Sequence, residues 1–273
     1  MKNIIQKPRF ITSLGIIVLA ISALAFTACR NPAEGPGDPG PDPNLGITWT
    51  AIAAGTGEGQ STFSGNIMSI LYHNNKFVAV GAAGRIAYSS DGITWTGIAA
   101  GTDEGQSTFA AGQSINGIAY GANKYVIVDA AGRIAYSSDG ITWTGIAAGD
   151  EGSTFANGQA IQDIAYGANK FIAVGPAGRM AYSSDGIIWT AIAAGDGGST
   201  FPSVYGEIRV IAYGGGKFIA GGQNGRMAYS SDGITWTTIT SAFPSVYIYS
   251  IAYGGGRFIA GASGGRMAFS PGN

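Results

Sequence analysis

The chain has 273 residues, 11% of them charged, and a formal net charge of −1. That balance excludes the basic excess of a nucleic-acid binder. One cysteine excludes an internal disulfide framework, and one cysteine with one histidine excludes a His/Cys zinc cluster. The 46 glycines point to many tight turns between short elements.

In chain order, the first nine residues carry Lys2, Lys7 and Arg9 and no acid, and an apolar run follows over residues 10–26. The run is short for a bilayer span, which needs about 20 residues. A basic start and an apolar stretch ending in small residues read as a secretory signal over residues 1–28. The only cysteine, Cys29, closes the string Ala25-Phe26-Thr27-Ala28-Cys29. This resembles the bacterial lipoprotein signal, with Phe26 where that signal usually has leucine. The resemblance implies cleavage before Cys29, lipidation of its thiol and anchoring in the bacterial cell envelope, at the outer membrane rather than the inner. Residues 29–45, rich in Pro, Gly and acid, have little to bury and read as a solvated tether. The mature chain would carry 12 basic against 16 acidic residues.

Residues 46–273 repeat. Tyr-Ser-Ser-Asp-Gly-Ile-Thr-Trp-Thr occurs at 88–96, 136–144 and 229–237, with Ile188 replacing Thr in the copy at 182–190. Trp49, Trp95, Trp143, Trp189 and Trp236 lie 46, 48, 46 and 47 residues apart, a period that fits propeller blades. Each unit holds four strand-like runs, called A to D, separated by Gly, Pro, Asn and Asp turn signals. In the third unit they are residues 161–166, 170–174, 179–183 and 187–192. No amphipathic helical pattern appears beyond the leader. The expected fold is therefore all-β: a five-bladed β-propeller with four-stranded blades. Five A–B–C sets are present, and residues 46–52 read as a D strand with no A, B or C before them. Pairing them with residues 266–270 would complete the last blade and close the ring, protecting its sheet edges.

The C–D turn, Ser-x-Asp-Gly-x-Thr-Trp, resembles the Asp-box of sialidase-like and photosystem-assembly-factor-like propellers, with one residue fewer between Asp and Gly. The resemblance implies a structural role for Asp91, Asp139, Asp185 and Asp232, which would accept turn N–H bonds. Trp95, Trp143, Trp189 and Trp236 would pack beside their blades. The sialidases use an arginine cluster, a tyrosine nucleophile assisted by glutamate and an acidic acid/base, and glycoside hydrolysis asks for two carboxyls flanking the scissile bond. Outside the turn aspartates, the candidate carboxylates of the folded part are Glu58, Asp103, Glu104, Asp129, Asp150, Glu151, Asp163, Asp196 and Glu207, most in Gly-rich loops. Asp129 stands where other copies have Gly or Ala, and His73 where they have Gly. The polar pattern mostly repeats, whereas catalysis needs one asymmetric constellation, so no catalytic residue, metal site or cofactor is expected.

The D–A loops and B–C turns share one face of such a fold. Each unit brings there an arginine, Arg85, Arg133, Arg179, Arg226 or Arg266, and an aromatic, Phe63, Phe109, Phe155, Phe201 or Phe243. Arginine's fork donates to carboxylate, phosphate or sugar oxygens, and five like sites would bind a repetitive polymer by avidity. The competing reading has arginine pairing with loop acids while phenylalanine plugs the gap between blades. Lys76, Lys124, Lys170, Lys217 and Arg257 on the opposite face read as a solvated rim. The expected function is a lipid-anchored recognition propeller, monomeric, for a glycan or envelope polymer. The alternative is a protein scaffold, with an asymmetric patch at Tyr205, Glu207 and Tyr247.

Overall fold

The structure is a computed structural model that describes residues 46, 49–53, 62–63, 65–98, 109, 112–146, 155, 158–193, 201 and 206–271. The leader, Cys29 and the tether lie outside the described residues. The protein is an all-β, five-bladed β-propeller. Blade one is β1 (Ile67–His73), β2 (Lys76–Gly81), β3 (Ile86–Ser89) and β4 (Thr96–Ile98). Blade two is β5 (Ile115–Gly121), β6 (Lys124–Asp129), β7 (Ile134–Ser137) and β8 (Thr144–Ile146). Blade three is β9 (Asp163–Gly167), β10 (Lys170–Val174), β11 (Met180–Ser183) and β12 (Thr190–Ile192). Blade four is β13 (Ile208–Gly214), β14 (Lys217–Gly222), β15 (Met227–Ser230) and β16 (Thr237–Ile239). Blade five has three described strands, β17 (Ile248–Gly254), β18 (Arg257–Ala262) and β19 (Arg266–Phe269). All pairings are antiparallel between strands consecutive in sequence.

The core lies between blades, which explains why the B strands carry no polar alternation. In β10 every residue from Phe171 to Val174 is buried, because one face packs on blade two and the other on blade four. Val126, Val128 and Ile134 of blade two meet Phe155, Ile164, Phe171 and Trp189 across one seam. Ile172, Val174 and Met180 meet Phe201, Ile211, Phe218 and Trp236 across the next. Each of these seams also carries a tyrosine laid on a backbone. The Tyr213 ring lies so close to Gly167 that a Cβ there would overlap it, so only glycine fits, and Gly121 and Gly214 receive Tyr166 and Tyr253 in the same way. In blade one the position is His73, whose ring stacks on Tyr120 at 3.5 Å and 20°. It is therefore part of a blade seam and not simply a surface residue.

The C–D turns share one hydrogen-bond pattern. In blade two, Asp139 Oδ1 accepts the N–H groups of Ile141 and Thr142, both at 2.8 Å, while Ser137 Oγ accepts from Gly140 at 2.8 Å. The same bonds recur around Asp91, Asp185 and Asp232. The backbone N–H groups of Thr94 and Ile93, with the Ser89 hydroxyl, hold the Asp91 carboxyl down at about 2. At Asp139, Asp185 and Asp232 partial burial pushes the carboxyl up, and the combined hydrogen bonds outweigh it, so each ends below the usual carboxylate range. These turns also shorten the D strands: Ile187 and Ile188 give their N–H groups to Asp185, so β12 begins only at Thr190.

One expectation changes. Among the described residues the sheet of blade five pairs β17, β18 and β19, while of residues 46–52 Gly46 and 49–52 are described, Ala53 after them forms an isolated bridge, and Trp49 is 87% exposed. The five phenylalanines are not stacking plates for a ligand. Phe63, Phe109, Phe155, Phe201 and Phe243 are all buried, because each drops from its D–A loop into the apolar space beside its blade.

Candidate functional site

The five A strands are near-copies: Ile67–His73, Ile115–Gly121, the run at 161–167, Ile208–Gly214 and Ile248–Gly254 all read Ile-x-x-Ile, then Ala (Leu71 in blade one), Tyr, and Gly (His73 in blade one). One position differs in every copy. The second residue is Met68, Asn116, Gln162, Arg209 and Tyr249 in turn. In blades one, two, four and five the ladder to strand B shifts register at this residue, between Ile67 and Ser69, Ile115 and Gly117, Ile208 and Val210, and Ile248 and Ser250. In blade three Gln162 holds the same place just before β9, its N–H donating to Val174 O at 2.7 Å. A bulge leaves one residue without a cross-strand partner and re-aims its side chain. Here it frees the second side chain from the packing that keeps its neighbours alike.

The freed side chains form a chain along the inner rim, on the face of the D–A loops and B–C turns. Asn116 Nδ2 donates to Ile161 O of blade three at 2.7 Å. Gln162 Nε2 reaches Glu207 Oε1 of blade four at 3.5 Å. Glu207 Oε1 accepts from Arg209 Nη1 at 3.0 Å. The Arg209 guanidinium then lies 5.1 Å from the Tyr249 ring centroid and 5.9 Å from that of Tyr247, the two rings stacking at 6.0 Å and 18°. Tyr247 is fixed from behind, its N–H donating to Ser263 Oγ at 3.2 Å and its carbonyl accepting from Ser263 N at 2.9 Å. The side chain of Arg209 is 35% exposed and that of Glu207 22%, so the pair is solvent-accessible but oriented. Chemically the cluster offers an aromatic-backed guanidinium, a carboxylate and two amides in one row, a set suited to gripping an extended polar chain.

Asp163 sits beneath this row as the third A-strand residue, where the other blades have Ser69, Gly117, Val210 and Ser250. It is buried, its Oδ1 accepting from its neighbour Ile164 N at 2.8 Å and its Oδ2 from Ile211 N of blade four at 2.9 Å. Burial pushes its carboxyl up to about 7, against the pull of those two N–H groups. Gly117 makes room for it, since a Cβ there would lie 3.2 Å from Asp163 Oδ1. With both oxygens spent on backbone, Asp163 ties blade three to blade four.

The repeated arginines are not equivalent. Arg133 is held by the buried Asp129: Nε donates to Oδ2 at 2.9 Å, Nη2 lies 2.8 Å from the same oxygen, and Oδ1 accepts from Ala131 N and Arg133 N. The Asp129 deviation is thus a turn and ion-pair device. Arg133 also lies over the Phe109 ring at 5.4 Å. Arg85 Nη1 reaches Thr62 O at 3.4 Å, and its Nε is buried without a hydrogen bond. Arg226 and Arg266 are exposed, and Arg179 is half-buried. Of the acids expected as alternative partners, Glu58 and Glu104 lie outside the described residues, as do Asp103, Asp150, Glu151 and Asp196. Of the asymmetric patch, Glu207 and Tyr247 do come together, while Tyr205 lies outside the described residues. Sequence reasoning missed Asn116, Gln162, Arg209 and Tyr249. The signal that finds them is a comparison of the five A strands within this chain, which isolates the second position as the one that never repeats.

The fold and this rim place the protein among the β-propellers. The chain matches no protein-family model and no curated protein sequence. Among solved structures it is similar to YCF48 bound to D1 peptide, at 17% identity and a TM-score of 0.54 over 74% of this chain and 63% of that one. YCF48 from Cyanidioschyzon merolae gives 17% identity and a TM-score of 0.53 over 81% and 69%. A catalytically inactive virginiamycin B lyase from Staphylococcus aureus with quinupristin gives 12% identity and a TM-score of 0.58 over 78% and 72%. The chain spans about three-fifths of the peptide-bound YCF48 chain.

Proposed function

We propose that this chain is a non-catalytic scaffold propeller that holds an extended segment of a protein partner along the inner rim built by Asn116, Gln162, Glu207, Arg209, Tyr247 and Tyr249. The observation that carries this reading is the bulged second position of the A strands, different in every blade of an otherwise repeated sequence and joined into one row. A repeat drifts least where packing constrains it, and the bulge is where constraint lifts and a single asymmetric surface can form. The solved likeness to a YCF48 carrying a D1 peptide is in keeping with a propeller that takes a peptide. The leader and Cys29 support a lipid-anchored position in the cell envelope. A glycan reading with five equivalent sites is less well supported, since its five aromatic plates are buried and Arg133 is occupied by Asp129.

The test is to pan a displayed peptide library against the full chain and to measure the enriched peptides on two variants. Arg209→Ala with Tyr249→Ala should weaken them at least tenfold, and Arg179→Ala with Arg226→Ala should leave them within twofold. The opposite pattern would return the site to the repeated arginines.

A further inference from the structure

The rim row spends its hydrogen-bond capacity unevenly. Asn116 Nδ2 faces the Ile161 carbonyl at 2.7 Å, and Gln162 Nε2 faces the Glu207 carboxylate at 3.5 Å. Both targets are acceptors only, so a reversed amide would set oxygen against oxygen, and the orientation of each amide is fixed. Glu207 Oε1 takes both Gln162 Nε2 and Arg209 Nη1. The donors of the two amides are thus turned toward the protein. Three oxygens are left over: Asn116 Oδ1, Gln162 Oε1 and Glu207 Oε2. None of them accepts a bond from another described residue, and all three side chains are half-buried.

Arg209 is the one lysine or arginine in the five A strands, and its charge is already engaged. Its Nη1 lies 3.0 Å from Glu207 Oε1 and its guanidinium lies over the Tyr249 and Tyr247 rings. An anion brought to it would meet Glu207 at the same place. The wider charge pattern points the same way. The D–A connections carry Glu58, Asp103, Glu104, Asp150, Glu151 and Asp196 in sequence and no lysine or arginine. With Asp129, Asp163 and Glu207 that makes nine acids on this side of the fold, against the five repeated arginines and Arg209. The opposite side has four acids, all in C–D turns, and five bases. A surface with such an excess draws cations and repels anions.

Resting on the reading of the rim as a peptide site, we propose that the segment held there presents a basic side chain, lysine or arginine, to Asn116 Oδ1, Gln162 Oε1 and Glu207 Oε2. An ammonium or guanidinium carries donors and no acceptor, which is the complement of a carboxylate oxygen followed by two amide oxygens. Bonds between such ionised groups are shorter and stronger than neutral ones. An apolar side chain in the same place would cover the three oxygens without a donor, and an acidic one would set like charge against Glu207. Arg209 is a positioning residue in this account: it holds Oε1 from one side, so that the carboxylate offers Oε2 to the partner. The amides do the same with their nitrogens, each tied to the next blade so that its oxygen is left for the partner.

The experiment pans two random dodecapeptide libraries against the full chain, each displayed as an internal insertion so that no free terminus is present. They differ only in that the second lacks lysine and arginine. Rim-dependent binders are those weakened at least tenfold by Arg209→Ala with Tyr249→Ala. The first library should yield them at least tenfold more often than the second. A binder from the first is then remade with norleucine at its shared basic position and titrated on the parent, on Glu207→Gln and on Gln162→Met, each variant checked against the parent's melting curve. Norleucine should cost at least tenfold on the parent and under threefold on Glu207→Gln, with an intermediate cost on Gln162→Met. Either variant that keeps the melting curve is sufficient to score this coupling. Rim-dependent binders drawn equally from the second library overturn the inference and leave the peptide reading standing. A norleucine cost that is the same on the parent and the variants does so too. No rim-dependent binder from either library overturns both.

Discussion

Replacing Asp163 by Asn tests the account of the blade three–blade four tie. The carboxyl is fully buried, accepts two backbone N–H groups, and is pushed up to about 7 from an ordinary value of 3.8. A group raised in the folded state binds more protons folded than unfolded over that interval, so stability falls as pH rises from about 4 to about 7 and is level above it. The shift of about three units corresponds to about 4 kcal/mol between the ends of the window, at about 1.4 kcal/mol per unit. His73 acts in the opposite sense: burial lowers its value from 6.5, so its contribution to stability rises with pH through the same region. The informative quantity is therefore the difference between wild type and Asp163→Asn, in which His73 cancels. Urea unfolding at pH 4.5, 6 and 8 supplies it. The wild type should lose stability relative to the variant on going from pH 4.5 to 8, by roughly 2–4 kcal/mol. Parallel curves for the two proteins across that range would refute the reasoning, since they would mean Asp163 ionises folded as it does unfolded.

Other outcomes follow from the same packing. Phe201→Ala should cost about 3–5 kcal/mol in denaturant unfolding, because the ring is buried in the seam between blades three and four, whereas an exposed stacking plate would cost little. Asp185→Ala removes the acceptor of the Ile187 and Ile188 N–H groups and should cost about 1–2 kcal/mol at pH 7. Since that carboxyl is depressed when folded, its contribution is lost as pH falls through the folded value, below 3.8, so the variant's deficit should shrink there in an acid titration. Asp129→Gly restores the residue found at Gly81, Gly175 and Gly222 but strips Arg133 of its carboxylate, and should lower stability by about 1–3 kcal/mol, with the loss reduced in Asp129→Gly/Arg133→Ala.

The sequence by itself determined the all-β class, the five blades and the C–D turns, because each rests on short-range signals. Gly, Pro and Asp turns lie between β-branched and aromatic runs, a tryptophan recurs every 46–48 residues, and Ser and Asp reach N–H groups two or three residues away. It left open whether Phe63, Phe109, Phe155, Phe201 and Phe243 face a ligand or the core. That is settled only when neighbouring blades bury them, and a repeated residue reads alike in either role. The rim was present in the sequence as the one unrepeated A-strand position, but its meaning depended on the register shift that frees that side chain and on the blade-to-blade rotation that sets Arg209 over Tyr249. Tertiary structure likewise decided the place of Trp49. Its five-residue surroundings are those of Trp95 and Trp236, and it makes the same local bond, yet it is exposed where they are packed, because their burial comes from strand-to-strand packing, on Phe77 and Phe218, that the local sequence does not encode.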